Sequence, residues 1–170
     1  MYLIFVVVVW VIIAGKFLDW RRWKEFYPTV QYFIICNLLY NFLYYNHSLW
    51  EYRAKTTALL NHTLIDVTFT FIIVPLAICL YLQHYPPGRR QVFYVLLWSV
   101  SFWAIEYVFF RKEMFLYKNG WSIWWTFGFN LIMFAMLRLH YRSPLLALGL
   151  SVPITAGLML FFPLPFDALK

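Results

Sequence analysis

The sequence predicts an all-α fold, a polytopic transmembrane helix bundle of about six spans. Three observations predict it. The chain of 170 residues is 64% apolar and 24% aromatic, with 12% charged residues and a mean hydropathy of +0.67. A soluble domain carries about 25% charged residues, and one this apolar could not cover its surface with polar groups. The apolar residues also fall into runs of helical membrane length, since roughly 20 of them cross the hydrocarbon core. Finally, the segments between the runs hold basic residues, Trp and Pro, as membrane flanks do. The length accommodates one integral membrane domain over 1–170 and no separate soluble domain.

The first expected span, about 2–18, has a Val-rich centre. It ends in Asp19-Trp20-Arg21-Arg22 and not at a small-residue cleavage site, so it reads as a retained anchor. Pro28 suits the first turn of a second span, about 29–45. Asn37 and Asn41 are four apart on that span and share a face. Amides in hydrocarbon need partners, so that face is expected to point into the bundle. The stretch from Asn46 to Asn61 contains Glu51, Arg53 and Lys55 and is too polar to span. It is expected to hold a short interfacial helix.

A third span, about 62–82, contains Pro75, which removes a backbone donor and predicts a kink. Pro86-Pro87-Gly88-Arg89-Arg90 stops it. The fourth span, about 91–110, carries Glu106 near its far end. Loop residues Arg111, Lys112, Lys118 and Asn119 follow. The fifth span, about 121–139, opens with Trp121, Trp124 and Trp125, an aromatic belt, and holds Asn130 near mid-depth. The sixth, about 145–162, bears Pro153.

The net charge of +7 does not imply nucleic acid, because the basic residues lie in small groups between apolar runs. Such groups attract anionic lipid headgroups, and Arg21, Arg22, Arg89 and Arg90 are the expected contacts. Placing the N-terminus outside puts eight of the 14 Lys and Arg residues on inner segments and six on outer ones, which favours that orientation in a cell membrane. Cys36 and Cys79 each lie inside an apolar run without metal or redox spacing and read as buried apolar residues.

One short pattern occurs twice, fifteen residues apart: Asn46-His47-Ser48-Leu49-Trp50-Glu51 and Asn61-His62-Thr63-Leu64-Ile65-Asp66. In each copy His and carboxylate are four apart, neighbours on one helical face. The alternation of spans brings His47, Glu51, His62, Asp66 and Glu106 to one membrane side, with Lys118, Asn119 and Trp121. Asp66 and Glu106 lie a turn or so inside the hydrocarbon boundary. An intramembrane ionisable group is a functional-site hypothesis by default. Mixed nitrogen and oxygen ligands would suit zinc or another first-row divalent ion. The alternative is structural: His62 bonds Asp66 at a helix start that Asn61 caps, His47 and Glu51 staple a loop, and Glu106 pairs with Arg111, Lys118 or an Asn. Asn37, Asn41 and Asn130 are expected to join helices, while His84 and His140 read as loop or snorkelling side chains on the other face. No GxSxG, HExxH, P-loop or dinucleotide fingerprint is present.

Lys16-Phe17-Leu18-Asp19-Trp20, Tyr40-Asn41-Phe42-Leu43, both Asn-His hexapeptides, Tyr117-Lys118-Asn119-Gly120-Trp121 and Leu137-Arg138-Leu139-His140-Tyr141 together resemble a family of small multipass membrane proteins of spore-forming Gram-positive bacteria. The resemblance covers about residues 10–150. It implies membrane topology and a bacterial host, and no catalytic residue, because the family has no assigned activity.

The functional expectation is a polar pocket near one membrane face that holds a metal ion, a proton or a lipid headgroup. One alternative is a non-catalytic structural subunit contacting a membrane-protein partner or a second copy. Another is a lipid-modifying enzyme with His62 and Asp66 as an acid–base pair.

Overall fold

A computed structural model describes residues 2–53 and 61–164. The fold is all-α. Its helices in chain order are α1 (Tyr2–Phe17), α2 (Trp23–Leu43), α3 (His62–Thr68), α4 (Val74–Gln83), α5 (Arg90–Arg111), α6 (Ile123–Arg142) and α7 (Pro144–Phe161). A π-turn over Phe69–Ile73 joins α3 to α4 into one continuous rod. Six rods therefore stand where six spans are expected. By length and apolarity three qualify as membrane-crossing: His62–Gln83, Arg90–Arg111 and Pro144–Phe161. The pair Leu3–Phe17 and Trp20–Leu43, bent by 93°, makes a fourth if counted as one span. The outer surface suits lipid, since Val92, Leu145 and Leu160 are 70%, 85% and 81% exposed.

The corner between α1 and α2 is built from a few polar atoms. Asp19 accepts from its own chain at Arg21 N (3.1 Å) and so caps a single 3₁₀ turn. The Gln83 amide reaches across from the end of α4. It donates to Phe17 O at 2.9 Å and accepts from Asp19 N at 2.8 Å, satisfying backbone groups that the corner leaves open. The second helix begins at Trp23, earlier than the expected start near Thr29, so Pro28 lies inside α2 and not in its first turn. The carbonyl that loses a partner belongs to exposed Lys24, where loss of a bond matters least. The perturbation expected at Pro75 takes the form of the π-turn just before it. Widening the helix there accommodates the proline ring and its missing donor.

The segment after α2 departs from expectation. In place of an interfacial helix, Trp50–Tyr52 forms a strand, β1, paired antiparallel with β2 (Phe115–Tyr117); residues 54–60 of the expected helix lie outside the described residues. The register sets Trp50 opposite Tyr117, Glu51 opposite Leu116 and Tyr52 opposite Phe115. Side chains alternate across a strand. Trp50, Tyr52, Phe115 and Tyr117 therefore share one face and Glu51 and Leu116 the other. Extra backbone bonds, Lys118 N to Leu49 O (2.8 Å) and Arg53 N to Met114 O (2.9 Å), extend the ribbon at both ends. Asn119 and Gly120 turn the chain with φ of 52° and 83°, a conformation that suits Asn and Gly.

The main core lies between α1, α2, α4, α5 and α6. Tyr81 is its hub, with ring contacts to Tyr94, Trp98 and Phe134, and its hydroxyl donates to Phe134 O at 2.9 Å. A smaller core of Tyr44, Leu49, Trp121 and Phe162 underlies the ribbon end. The ribbon and this core close one end of the bundle, above the polar residues that follow.

Candidate functional site

Two carboxylates from different helices line one cavity. Asp66 lies four residues into α3, about 6 Å of helix from His62, and Glu106 five residues before the end of α5, about 7.5 Å. Both line a cavity of about 160 Å³ with Asn37, Thr70, Thr126 and Asn130, and the ribbon residues Trp50, Tyr52 and Phe115 line it too. One water needs roughly 10–15 Å³ of such space, so the cavity holds several waters or a small ligand group.

Each carboxylate has neutral partners. Asn41 Nδ2 donates to Asp66 Oδ2 at 2.9 Å. Asn37 Nδ2 donates to Thr70 Oγ1 (2.8 Å), and Thr70 Oγ1 donates to Asp66 O (2.8 Å). The four-residue spacings Asn37/Asn41 and Asp66/Thr70 put each pair on one helical face, and the two faces meet. Glu106 Oε1 accepts from Tyr117 Oη at 2.8 Å and from Thr126 Oγ1 at 2.9 Å. Thr126 in turn accepts from Trp121 Nε1 at 2.9 Å. A relay of donors thus runs from Trp121 through Thr126 to Glu106, and Tyr117 closes it from β2.

The expected partners are replaced in several places. His62 and Asp66 do not bond each other. His62 Nδ1 accepts from Tyr52 N at 3.1 Å, which fixes Nδ1 as unprotonated, and the ring stacks on Tyr52 with centroids 5.7 Å apart. Asn61 caps α3 as expected, accepting from Leu64 N at 2.8 Å. Glu51 points to the outer face of the ribbon and forms an ion pair with Lys118, so it staples the ribbon and not His47. His47 lies in the turn after α2, its N–H bonded to Tyr44 O at 3.1 Å, and does not line the cavity. Glu106 pairs with hydroxyls and not with Arg111, Lys118 or an Asn. Among the described residues no three His, Cys, Asp or Glu side chains gather as a metal set. The metal site expected from His47, Glu51, His62, Asp66 and Glu106 is not assembled, because an extended ribbon turns Glu51 outward where a helix would have turned it toward His47.

Asn130, expected to join helices, borders the cavity instead of showing a bond to another helix among the described residues. It is 6% exposed, lines the cavity, and its Nδ2 has no partner. A buried unpaired amide costs about 1–3 kcal/mol, so this donor calls for a guest or water. His140 is buried, not snorkelling. Its Nδ1 lies 3.1 Å from Thr29 Oγ1, and its ring stacks on Tyr32 at 4.3 Å. Cys36 and Cys79 are free thiols, each half-buried.

Electrostatics around the cavity follow from burial. The Tyr52 phenol is pushed well above its ordinary range, first by burial and then by the negative fields of Asp66 and Glu106. Tyr117 is raised by burial and by Glu106 beside it. Both phenols therefore stay protonated, and that of Tyr117 donates to Glu106. On the ribbon's outer face, the hydrogen bond from Lys118 holds the Glu51 carboxyl below its usual value.

Tyr52, Thr70, Tyr117 and Thr126 are site residues that the sequence reading passes over. A signal existed for Thr70, four residues after Asp66 on its face. None existed for Tyr52 and Tyr117, which enter through strand pairing between segments 65 residues apart.

No protein family matches the chain, and neither a curated protein nor a solved structure is similar to it.

Proposed function

We propose that this is a multipass protein of a bacterial cell membrane that binds a positively charged guest, a proton or a protonated ligand, in the cavity between Asp66 and Glu106. One observation carries this reading. Two carboxylates from different helices line one cavity, and among the described residues their hydrogen-bond partners are neutral amides and hydroxyls. Carboxylates inside a bilayer are costly and call for neutralisation. A cationic guest would supply that neutralisation. The orphan amide of Asn130 adds a donor that water or a ligand oxygen would satisfy. The N-terminus is assigned to the outside by the balance of basic residues, and the resemblance to small membrane proteins of spore-formers agrees with a bacterial setting.

Proton uptake by detergent-purified protein tests the reading. On acidification, wild type should take up more protons than Asp66→Asn or Glu106→Gln, with the double variant lowest. Equal uptake by all four proteins at unchanged fold would remove the proposal.

A further inference from the structure

Beside the carboxylate cavity lies a larger, almost wholly apolar groove of about 460 Å³ between α2, α6 and α7. The two spaces share walls: Phe33, Asn37, Trp50, Trp121, Phe129 and Met133 line both. The groove runs along α2 from Tyr32 to Tyr44, about 18 Å of helix. At its outer edge stand Leu39, Ile132 and Val152, which are 45%, 44% and 70% exposed. That edge is exposed and apolar, which leaves a way in for a hydrocarbon chain.

We propose that the groove and the cavity form one site for a single-chain amphiphile with a protonated amine head, the tail in the groove and the head between Asp66 and Glu106. This rests on the cation-binding reading above and names its ligand class. Charge complementarity selects the head, because two carboxylates whose hydrogen-bond partners among the described residues are neutral favour a cation and repel a fatty acid's carboxylate. Groove composition selects the tail, since ligand sites combine an apolar lining with a few convergent polar groups. An ammonium donates only, so it suits the carboxylate oxygens. A hydroxyl beside the amine, or a retained water, would accept from Asn130 Nδ2.

Native mass spectrometry of the full chain in mild detergent reads binding directly, with a hexadecyl amine, a hexadecyl alcohol and the corresponding fatty acid as probes. The amine should bind at least tenfold more tightly than the other two. Glu106→Gln combined with Asp66→Asn should bring the amine down to the level of the alcohol. Thr155→Trp, which fills the groove and leaves the carboxylates in place, should weaken the amine and leave the proton uptake of the carboxylates intact. Circular dichroism and thermal unfolding check that each variant is folded. Equal binding of amine and alcohol to wild type would overturn the assignment of the head. Absence of amine binding, with normal carboxylate proton uptake, would overturn the amphiphile site while the cation-binding reading stood. Loss of the uptake difference as well would overturn both.

Discussion

The two ends of the bundle both hold polar groups and use them differently. At the basic end, where α6 finishes, several neutral polar groups are closely paired. Thr29 meets His140, the Tyr32 hydroxyl lies 2.7 Å from Ser151 Oγ, and Tyr94 donates to Tyr81 O at 3.1 Å. Arg138 has a buried Nε without a partner, yet its guanidinium lies 4.2 Å from the centre of the Tyr85 ring, which accepts the charge. At the ribbon end the polar groups include two carboxylates, they border a cavity, and the unpaired Asn130 amide has no such compensation. A network that is satisfied and close-packed specifies structure. One that is ionisable, hollow and incomplete suits the guest proposed above. Burial of polar groups alone does not distinguish the two; the empty volume and the unanswered charge do.

That contrast predicts opposite responses to substitution. The largest effect belongs to the packed side: Phe134→Ala, beneath Tyr81, should cost about 3–5 kcal/mol in unfolding stability in detergent. Thr29→Val should cost about 1–3 kcal/mol, because it strands His140 Nδ1 in a buried position. At the ribbon end, Glu106→Gln should stay within about 1 kcal/mol of wild type, since the Gln carbonyl still accepts from Tyr117 and Thr126. It should nevertheless remove the share of proton uptake that belongs to Glu106. A large loss of stability in Glu106→Gln, with unchanged uptake, would place Glu106 among the structural groups and erase the contrast.

The smallest effect concerns the outer face of the ribbon. The Lys118–Glu51 side chains are 50% and 38% exposed, so Lys118→Ala should cost about 0.2–1 kcal/mol at most. Lys118 depresses the folded Glu51 carboxyl. The contribution is therefore present above the unfolded value of about 4.3 and fades as the pH falls through the lower folded value. Stability curves of wild type and Lys118→Ala should converge on acidification. A difference that persists at low pH would mean that Lys118 acts through packing and not through charge.

Much of the fold was legible in the sequence for a simple reason. Apolar runs of membrane length punctuated by Pro86-Pro87-Gly88 and by Arg-Lys groups leave few options besides helices, and the six rods fall close to the expected ranges. The Asn37/Asn41 face and the places of Asp66 and Glu106 along their helices were legible because helical periodicity is local. The ribbon was not. Trp50–Tyr52 pairs with Phe115–Tyr117 across two intervening rods, and three-residue strands carry too little alternation to announce themselves. That one unforeseen element re-aimed Glu51 outward, delivered Tyr52 to the cavity and brought the Tyr117 hydroxyl to Glu106. His62 then found the backbone of Tyr52 and not the side chain of Asp66. The repeated Asn-His hexapeptides look alike in sequence, but one enters a strand and the other a helix, so their similarity does not extend to structure.

The central claim is that Asp66 and Glu106 share one hydrated space and feel one another's charge. Infrared titration of the purified protein, following the C=O stretch of protonated carboxyls, tests it directly. The account predicts that each single variant, Asp66→Asn or Glu106→Gln, removes one contribution and moves the midpoint of the one that remains. A remaining carboxyl that titrates as in wild type would show that the two act independently and would contradict the shared site.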